Sequence, residues 1–377
     1  MPLEIEIAPA LDAVPAAEWN ALADKHPFAQ HHFLHLLQET ACAKPDTGWT
    51  PCHVLLREHG VLQGAVAAYL KTHSRGEFVF DHSWAQAYHQ HGLDYYPKLV
   101  VSVPFTPVAG PRLLASKPAH RTLLIQALMA LAQQTQASSI HVLFPAEQDL
   151  TALKEAGFMV RENVQFHWRN ANYADMDAFL ATMAQEKRKK FKQDRKKVQA
   201  AGITFAWLEG HALTAKTLEF FYHCYQNTYE RHGGRPYLSL EFFLRLHQQA
   251  PNALMLVLAQ RQGMPIACAL NVRGPDVLYG RYWGCVEPVP GLHFETCYAQ
   301  SIAYCIERGI TSFEGGAQGE HKMSRGLLPV KTFSAHWVAN RRFAEAIAEF
   351  LQRETQAVEE YVEVLEQSSP FKRQGQG

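Results

Sequence analysis

The stretch LREHGVLQGAVAA (residues 56–68) is matched later in the chain by AQRQGMPIACALN (residues 259–271). In both stretches two apolar runs flank a glycine, Gly60 or Gly263, and this pattern predicts a β-hairpin that turns at the glycine. A second pair follows in the same order, because GFMVRENVQFHW (residues 157–168) is matched by GLLPVKTFSAHW (residues 326–337). Two ordered matches indicate an internal duplication of one α/β unit.

Helical and strand patterns alternate along both halves of the chain. We therefore expect an α/β (α+β) fold with mixed sheets flanked by helices. The chain has 377 residues, and a single core stops growing at about 250–300 residues, so two domains are expected. We place them at residues 1–172 and 173–377. The first contains an insertion at about 72–114, and the second contains a basic helix at 186–200 and a helix at its end.

Composition excludes several classes of function. Lys+Arg and Asp+Glu are both 36, so the chain has no overall basic field and DNA is not expected as a partner. The seven cysteines form no C-x-x-C pair, which predicts free thiols and a cytoplasmic protein. No apolar run approaches the ~20 residues of a membrane span, so only peripheral membrane contact is expected. The motifs of nucleotide sites, serine hydrolases and zinc peptidases are missing, and we predict no metal and no tightly bound cofactor.

The segment FEGGAQGEHKMSRGLLPVKTFSAHW (residues 313–337) is the strongest candidate for chemistry. Its glycines permit close approach of a ligand to the backbone at the end of a predicted strand. We predict Glu314 as the catalytic base, with His321 as second candidate. The predicted substrate contacts of this loop are Lys322, Arg325, Gln318 and Glu320. The alternative is an exposed loop with solvated charges.

The first copy has Phe144-Pro145 where the second has Phe313-Glu314, so we place the chemistry in the second copy. The insertion of the first copy is dense in aromatic and charged residues, which suits a binding wall. Its alternative is a structural lid with ordinary packing. The further substrate contacts that we predict are Tyr282, in a strand of the second copy, and Lys71, His73, Asp81, Trp84, Tyr96 and Lys98 in and beside the insertion.

The run KRKKFKQDRKK (residues 187–197), within the basic helix, has eight positive charges, and Asp194 is the one acidic residue among them. RNA, phospholipid headgroups or a phosphorylated ligand would each fit such a helix. A solvated helix face is the alternative.

Several long stretches resemble a known bacterial family. HSRGEFVFDHSWAQAY (73–88), YYPKLVVSVPFTPVAGPR (95–112), GGRPYLS (233–239) and residues 313–337 are similar to predicted N-acyltransferases described as peptidoglycan biosynthesis/recognition proteins. That family is a FemAB-like branch of the GNAT superfamily. The basic run and IAYCIERGITSFEGG (302–316) more distantly resemble the Fem aminoacyl ligases of cell-wall synthesis. The resemblance implies two tandem GNAT-like domains and acyl transfer to an amine.

One departure from the GNAT pattern concerns the acyl donor. Acetyl-CoA-using GNAT proteins carry R/Q-x-x-G-x-G/A before the helix that follows the splayed strand, whereas this chain has GCVEPVPGLHFET (284–296). We predict that Gly291, Leu292 and His293 bind the donor through the start of a helix. Acyl-CoA as a co-substrate, an aminoacyl-tRNA and an acyl carrier remain alternatives.

The expected function is therefore an N-acyltransferase that acts on a small-molecule or wall-precursor amine. A degenerate acyltransferase is the alternative, a non-catalytic module that recognises wall precursor, lipid or RNA. The missing glycine pattern favours the binding module, and the reactive residues of the glycine-rich loop favour the enzyme.

Overall fold

A computed structural model describes residues 3–317 and 319–372, so Gln318 lies outside the described residues. The contacts divide the chain into two compact units. Unit 1 comprises residues 1–163 and 331–360, and unit 2 comprises residues 164–330 and 361–377. No helix within the described ranges has the length and apolar character needed to cross a membrane.

The strands and helices alternate as the sequence pattern predicts. The strands are β1 (Leu3–Ala8), β2 (Trp49–Pro51), β3 (His53–Glu58), β4 (Val61–Val66), β5 (Ala68–Lys71), β6 (Lys98–Val101), β7 (Leu114–Ala115), β8 (Ser139–Leu143), β9 (Met159–Arg169), β10 (Ile203–Glu209), β11 (Leu254–Arg261), β12 (Met264–Arg273), β13 (Val277–Cys285), β14 (Ser312–Glu314) and β15 (Leu328–Val338). The helices are α1 (Ala16–Leu22), α2 (His31–Glu39), α3 (His82–Gln90), α4 (Pro118–Gln134), α5 (Glu147–Glu155), α6 (Met176–Thr182), α7 (Gln185–Ala200), α8 (Ala215–Arg231), α9 (Leu240–Gln249), α10 (Leu292–Phe294), α11 (Gln300–Arg308) and α12 (Arg341–Gln367). Short 3₁₀ helices lie at Pro45–Thr47, Gly210–Ala212 and Glu320–Arg325, and a π-helical stretch, Glu295–Ala299, joins α10 to α11.

Unit 1 contains two sheets. One has the order β1-β3-β4-β7, and the other places β15, β8, β6, β5 and β2 side by side. The β8–β6 pair is parallel, and β15 is antiparallel to β8. Helix α4 supplies Leu124, Leu128 and Leu131 to a core that also buries Val54 and Ile140. The segment predicted as an insertion contains α3 and the inner strand β6, so much of it is integral to the sheet.

Unit 2 contains one mixed sheet in the order β10-β11-β12-β13-β14-β9. Its neighbours are antiparallel except β13 and β14, which are parallel. Ile302, Phe313 and Trp168 are buried together on one face of this sheet, with α6 and α11. Mixed sheets flanked by helices confirm the predicted fold class.

The two predicted hairpins have the same backbone conformation. Positive φ angles occur at His59 (54°) and Gly60 (78°), and again at Gln262 (51°) and Gly263 (76°). Two successive residues with positive φ form the tight turn whose twist matches that of paired strands. Each hairpin also shifts register three residues before the first turn residue, after Leu56 in one and after Ala259 in the other. The repeated sequence segments therefore fold alike.

The second repeated segment also has one structure in both copies. Gly157 (φ 84°) and Gly326 (φ 90°) each lie two residues before a strand of 11 residues, β9 or β15. The matched His and Trp occupy the same positions in those strands. The duplication is thus present at the level of single turns and strands.

Candidate active site

The candidate site is a cleft in unit 2 where β13 and β14 part. The two strands pair only as far as Tyr279 and Glu314. On the opposite edge of β13 the register with β12 shifts, and Arg281 becomes the extra residue of a β-bulge. A cavity of about 140 Å³ opens beyond this point. Its lining consists of Ala269, Leu270, Asn271, Gly280, Arg281, Tyr282, Trp283, His293, Cys297, Tyr298, Phe313, Gly315 and Gly316.

Glycines occupy positions beside this cleft where a side chain would crowd neighbouring atoms. A Cβ at Gly280 would lie 3.1 Å from Phe313 Cε2 and 3.2 Å from the carbonyl oxygen of Glu314. At Gly315 a Cβ would lie 2.6 Å from Leu327 Cδ2. Gly316 has a φ of 85°, which L side chains rarely adopt. Local sterics thus explain why glycine follows Glu314 at both positions of the sequence FEGG.

Glu314 lies at the vertex of the cleft, as the last paired residue of β14. Its neighbours Phe313 and Gly315 line the cavity, and alternation along the strand directs its own side chain to the opposite face from Phe313. The carboxylate lies 3.9 Å from His167 Nε2, and its Oε2 is buried without a hydrogen-bond partner among the described residues. Burial raises the pKa of Glu314 to about 7, although the charges of Arg281 and Arg169 oppose the rise.

Lys322 brings a buried cation to the glycine loop that follows Glu314. Its Nζ donates a 2.9 Å hydrogen bond to the carbonyl oxygen of Gly316. The side chain is 3% exposed, and burial lowers the pKa of Lys322 to about 8. A proton donor and a proton acceptor with pKa values near neutrality thus flank the same short loop.

Aromatic and imidazole rings form the wall next to Lys322. His293 lines the cavity, and burial lowers its pKa to about 4, so this ring is neutral at pH 7. His321 Nε2 lies 3.4 Å from the hydroxyl of Tyr298, and burial also lowers the pKa of His321. Tyr282 packs against Tyr225, with ring centroids 4.7 Å apart, while it lines the cavity. The structure therefore brings His293, His321 and Tyr282 to one site.

Two other predicted substrate contacts have partners within unit 2. Arg325 is 4% exposed and donates to Asp194 Oδ2 at 2.7 Å, and its guanidinium lies 4.4 Å from the ring centre of Phe294. Glu320 is exposed and accepts a 2.5 Å hydrogen bond from the hydroxyl of Tyr361. Arg325 thus connects the 3₁₀ helix after the glycine-rich loop to the basic helix α7.

The predicted donor site lies at the start of α10. Gly291 has a φ of 84° and precedes the buried Leu292. A Cβ at Gly291 would lie 3.6 Å from the carbonyl oxygen of Asp194, so α7 packs directly beside it. The first turn after Gly291 closes at Glu295, whose buried carboxylate accepts a hydrogen bond from Arg195 at 3.2 Å. The negative charge of this carboxylate disfavours a second anion near the helix start.

The remaining predicted contacts form a buried polar network in unit 1. Lys98 is fully buried and donates to Glu77 at 2.8 Å and to Asp81, which also accepts from the hydroxyl of Tyr95 at 2.6 Å. Tyr96 joins the network through Ser74, which its hydroxyl contacts at 2.8 Å. Burial alone would lower the pKa of Lys98, but the two carboxylates raise it above its usual value.

Neighbouring side chains extend this network. Lys71 is fully buried and lies 3.6 Å over the ring of Trp49, while His73 is half-buried. His141 and His336 approach each other with Nδ1 atoms 2.7 Å apart, and Trp84 packs against His336 at 5.0 Å between ring centroids. Burial lowers the pKa of both histidines, so both rings are neutral and one donates to the other.

Sequence reasoning missed several residues of the cleft. His167, Asn271, Arg281, Cys297 and Tyr298 belong to it or touch Glu314, yet they come from three strands and one helix. For His167 a signal existed, because it is one of the residues that match between the two copies. For the others only the packing of strands and helix in the folded chain shows their proximity.

Three solved structures share this fold at low sequence identity. FemX is 12% identical, with 92% of this chain and 100% of that chain covered and a TM-score of 0.55. L-PGS from Bacillus licheniformis is 10% identical, with coverages of 93% and 98% and a TM-score of 0.58. A conserved protein of unknown function from Bacteroides thetaiotaomicron is 10% identical, with coverages of 88% and 99% and a TM-score of 0.53.

Among curated protein sequences none matches this chain significantly. The profile of the FemAB-like family, described as peptidoglycan biosynthesis/recognition, matches residues 10–373, almost the whole chain. This match confirms the resemblance found in the sequence, and the structural matches agree with the fold expected from it. The chain is therefore a member of the FemAB-like family.

Proposed function

We propose that the cleft between β13 and β14 transfers an acyl or aminoacyl group from an activated donor to an amine. The observation that carries the proposal is the half-buried carboxylate of Glu314, whose Oε2 is enclosed, at the point where two parallel strands part. Past Tyr279 and Glu314 the facing strand edges no longer pair with each other, and their backbone N–H groups are candidates to hold a developing oxyanion.

Glu314 is the proposed base. The amine nitrogen attacks the donor carbonyl carbon, and the carboxylate accepts the proton that the amine loses as the C–N bond forms. The tetrahedral intermediate then expels the donor's oxygen or sulfur. Lys322, whose pKa burial lowers to about 8, is the proposed group that stabilises this leaving atom or protonates it. His321 and His293 shape the wall beside it.

The surroundings of the donor helix favour an aminoacyl-tRNA over an acyl-CoA. The glycine pattern that holds a CoA pyrophosphate is missing, and the carboxylate of Glu295 lies in the first turn. Helix α7, which packs beside Gly291, exposes Lys189, Lys190, Lys196 and Lys197. A donor with many phosphates outside the cleft and a small acyl group inside the 140 Å³ cavity fits both features.

The test compares labelled aminoacyl-tRNA and labelled acyl-CoA as donors to a mixture of amine acceptors. We expect amide product from the tRNA donor. Substitution of Lys189, Lys190, Lys196 and Lys197 by Gln should raise KM for the tRNA at least tenfold and leave kcat nearly unchanged. The slope of log K for tRNA binding against log salt concentration should become shallower by about 0.7–0.9 for each phosphate contact that is lost.

A matched variant replaces four exposed lysines that do not belong to α7, Lys25, Lys117, Lys154 and Lys216, with Gln. Its KM should equal that of the unchanged protein. Transfer from acyl-CoA alone would refute aminoacyl-tRNA as the donor but would still support an acyltransferase. Binding of tRNA without transfer to any amine would instead support the alternative, a non-catalytic binding module.

A further inference from the structure

Unit 1 contains a large open groove between α3 and α12. Its volume is about 630 Å³, which is within the range of small-molecule sites in proteins. The residues that line it are Ser83, Trp84, Ala87, His91, Leu93, Asn340, Arg342, Phe343, Ala346, Ile347 and Phe350. The groove belongs to unit 1 alone, and an inference from it does not rest on the function proposed for unit 2.

Helical spacing explains why the groove is apolar. Trp84, Ala87 and His91 recur at intervals of three and four residues on α3 and just after it, and so do Phe343, Ala346 and Phe350 on α12. Such spacing places side chains on one face of a helix. The two helices are joined where the rings of Phe343 and Tyr88 pack 4.1 Å apart. The apolar faces of α3 and α12 touch at this ring contact and diverge beyond it.

The charge at the rim is one-sided. Among the described residues that line the groove, Arg342 is the one guanidinium and there is no carboxylate. Arg342 is exposed, and none of the described residues forms an ion pair with it, whereas its neighbour Arg341 pairs with Glu345 at 3.0 Å. The groove therefore offers apolar walls and a cation without a counter-charge.

We propose that this groove binds a single long-chain carboxylate. The hydrocarbon chain lies between α3 and α12, and the carboxylate pairs with Arg342 at the rim. Charge complementarity selects the anionic head group, because the lining has a cation without a counter-charge. Size favours a single chain, because an α-helix with its side chains has a diameter of about 10–12 Å, so a volume of about 630 Å³ would hold little more than one helical turn.

Titration calorimetry with dodecanoate, held below its micelle concentration, tests the proposal. We expect saturable binding of one molecule per chain. Decanoate should bind about tenfold or more weakly, since each buried CH₂ contributes about 0.8 kcal/mol. Arg342→Glu should weaken dodecanoate at least tenfold and strengthen dodecyltrimethylammonium, which has the same chain and a cationic head. Ala346→Trp, at an exposed lining position, should abolish binding of both.

Arg353→Glu is the matched control, because Arg353 is exposed on the same helix and does not line the groove. It should bind dodecanoate normally, and thermal melting checks that Ala346→Trp is folded. Equal affinity for dodecanoate in Ala346→Trp would overturn the proposal. So would binding to anionic vesicles without binding to monomeric dodecanoate, which would make the groove a membrane contact. Capture of an amphipathic peptide in preference to dodecanoate would overturn it as well.

Discussion

At the scale of single residues, the position of Glu314 sets the proton affinity of the proposed base. An exposed glutamate is ionised far below neutral pH, and its weak basicity makes it a poor proton acceptor. Glu314 is half-buried at the strand vertex with its Oε2 fully enclosed, and burial raises its pKa to about 7. The group is therefore a stronger base, and it is available as a base only above that pH.

We expect Glu314→Gln to lower kcat by about 10²–10⁴-fold. The unchanged enzyme should gain activity as pH rises through about 7, because protonation of Glu314 below that pH removes the base. Initial rates between pH 5 and 9 measure both effects. The residual activity of the variant should lose this limb of the profile, and a kcat equal to that of the unchanged enzyme at every pH would exclude Glu314 as the base.

The same substitution has a predictable effect on stability. Because the folded protein holds Glu314 with a raised pKa, ionisation opposes folding. The stability that the protonated Glu314 contributes is fully present below about pH 4.5. It is lost as pH rises to about 7, and the loss in the free energy of unfolding is on the order of 3 kcal/mol. Glu314→Gln should be at least as stable as the parent at pH 8 in urea denaturation. A large destabilisation there would instead indicate a structural role for the carboxylate.

At the scale of elements, one ion pair connects the glycine-rich loop to the basic helix. Asp194 of α7 accepts from the buried Arg325 at 2.7 Å, and it also pairs with Lys190 at 2.9 Å. Asp177 pairs with Lys192 of the same helix at 2.8 Å, but both side chains are exposed. A buried cation that loses its partner costs much more than an exposed one.

We expect Asp194→Ala to reduce the free energy of unfolding by about 1–3 kcal/mol, because Arg325 is left buried without this carboxylate. It should also loosen the 3₁₀ helix Glu320–Arg325 and so displace Lys322. Asp177→Ala is the control, and it should leave the melting temperature unchanged. Urea denaturation and KM for the donor measure the two consequences. Equal stability of the two variants would contradict this account of Arg325.

At the scale of the whole molecule, neither unit is a continuous stretch of chain. Unit 1 includes residues 331–360, and through them it obtains β15, which pairs with β8. Unit 2 obtains the pair between β14 and the last residues of β9. His141 and His336, 195 residues apart in sequence, meet in unit 1 because of the first of these pairings.

Truncation of the chain after Val330 should therefore destabilise unit 1. Ser139–Leu143 would lose its antiparallel partner, and His141 would lose the ring that it contacts. We expect amide hydrogen exchange of Ser139–Leu143 to lose its protection. A chain that ends at Glu360 removes only residues of unit 2 and should keep that protection. Slow exchange of Ser139–Leu143 in the shorter chain would show that β15 is dispensable there.

By itself the sequence determined the local features of this protein. The turns at His59-Gly60 and Gln262-Gly263 depend on residues that accept positive φ between apolar runs, and this chemistry is contained in a few neighbouring positions. The glycines after Glu314, the duplication and the family resemblance could be recognised in the sequence for the same reason. Glu314 was predicted from a strand end followed by glycines; it is the last paired residue of β14, and its role as the base stays a prediction.

Only the tertiary structure decided which distant segments meet. The pairing of β15 with β8, the contact between His167 and Glu314, and the bond from Arg325 to Asp194 each join residues far apart in sequence. No local pattern encodes such a choice, because it depends on how both cores pack as wholes. The pKa values of Glu314 and Lys322 are likewise consequences of burial, which exists only after the strands and helices have assembled around them.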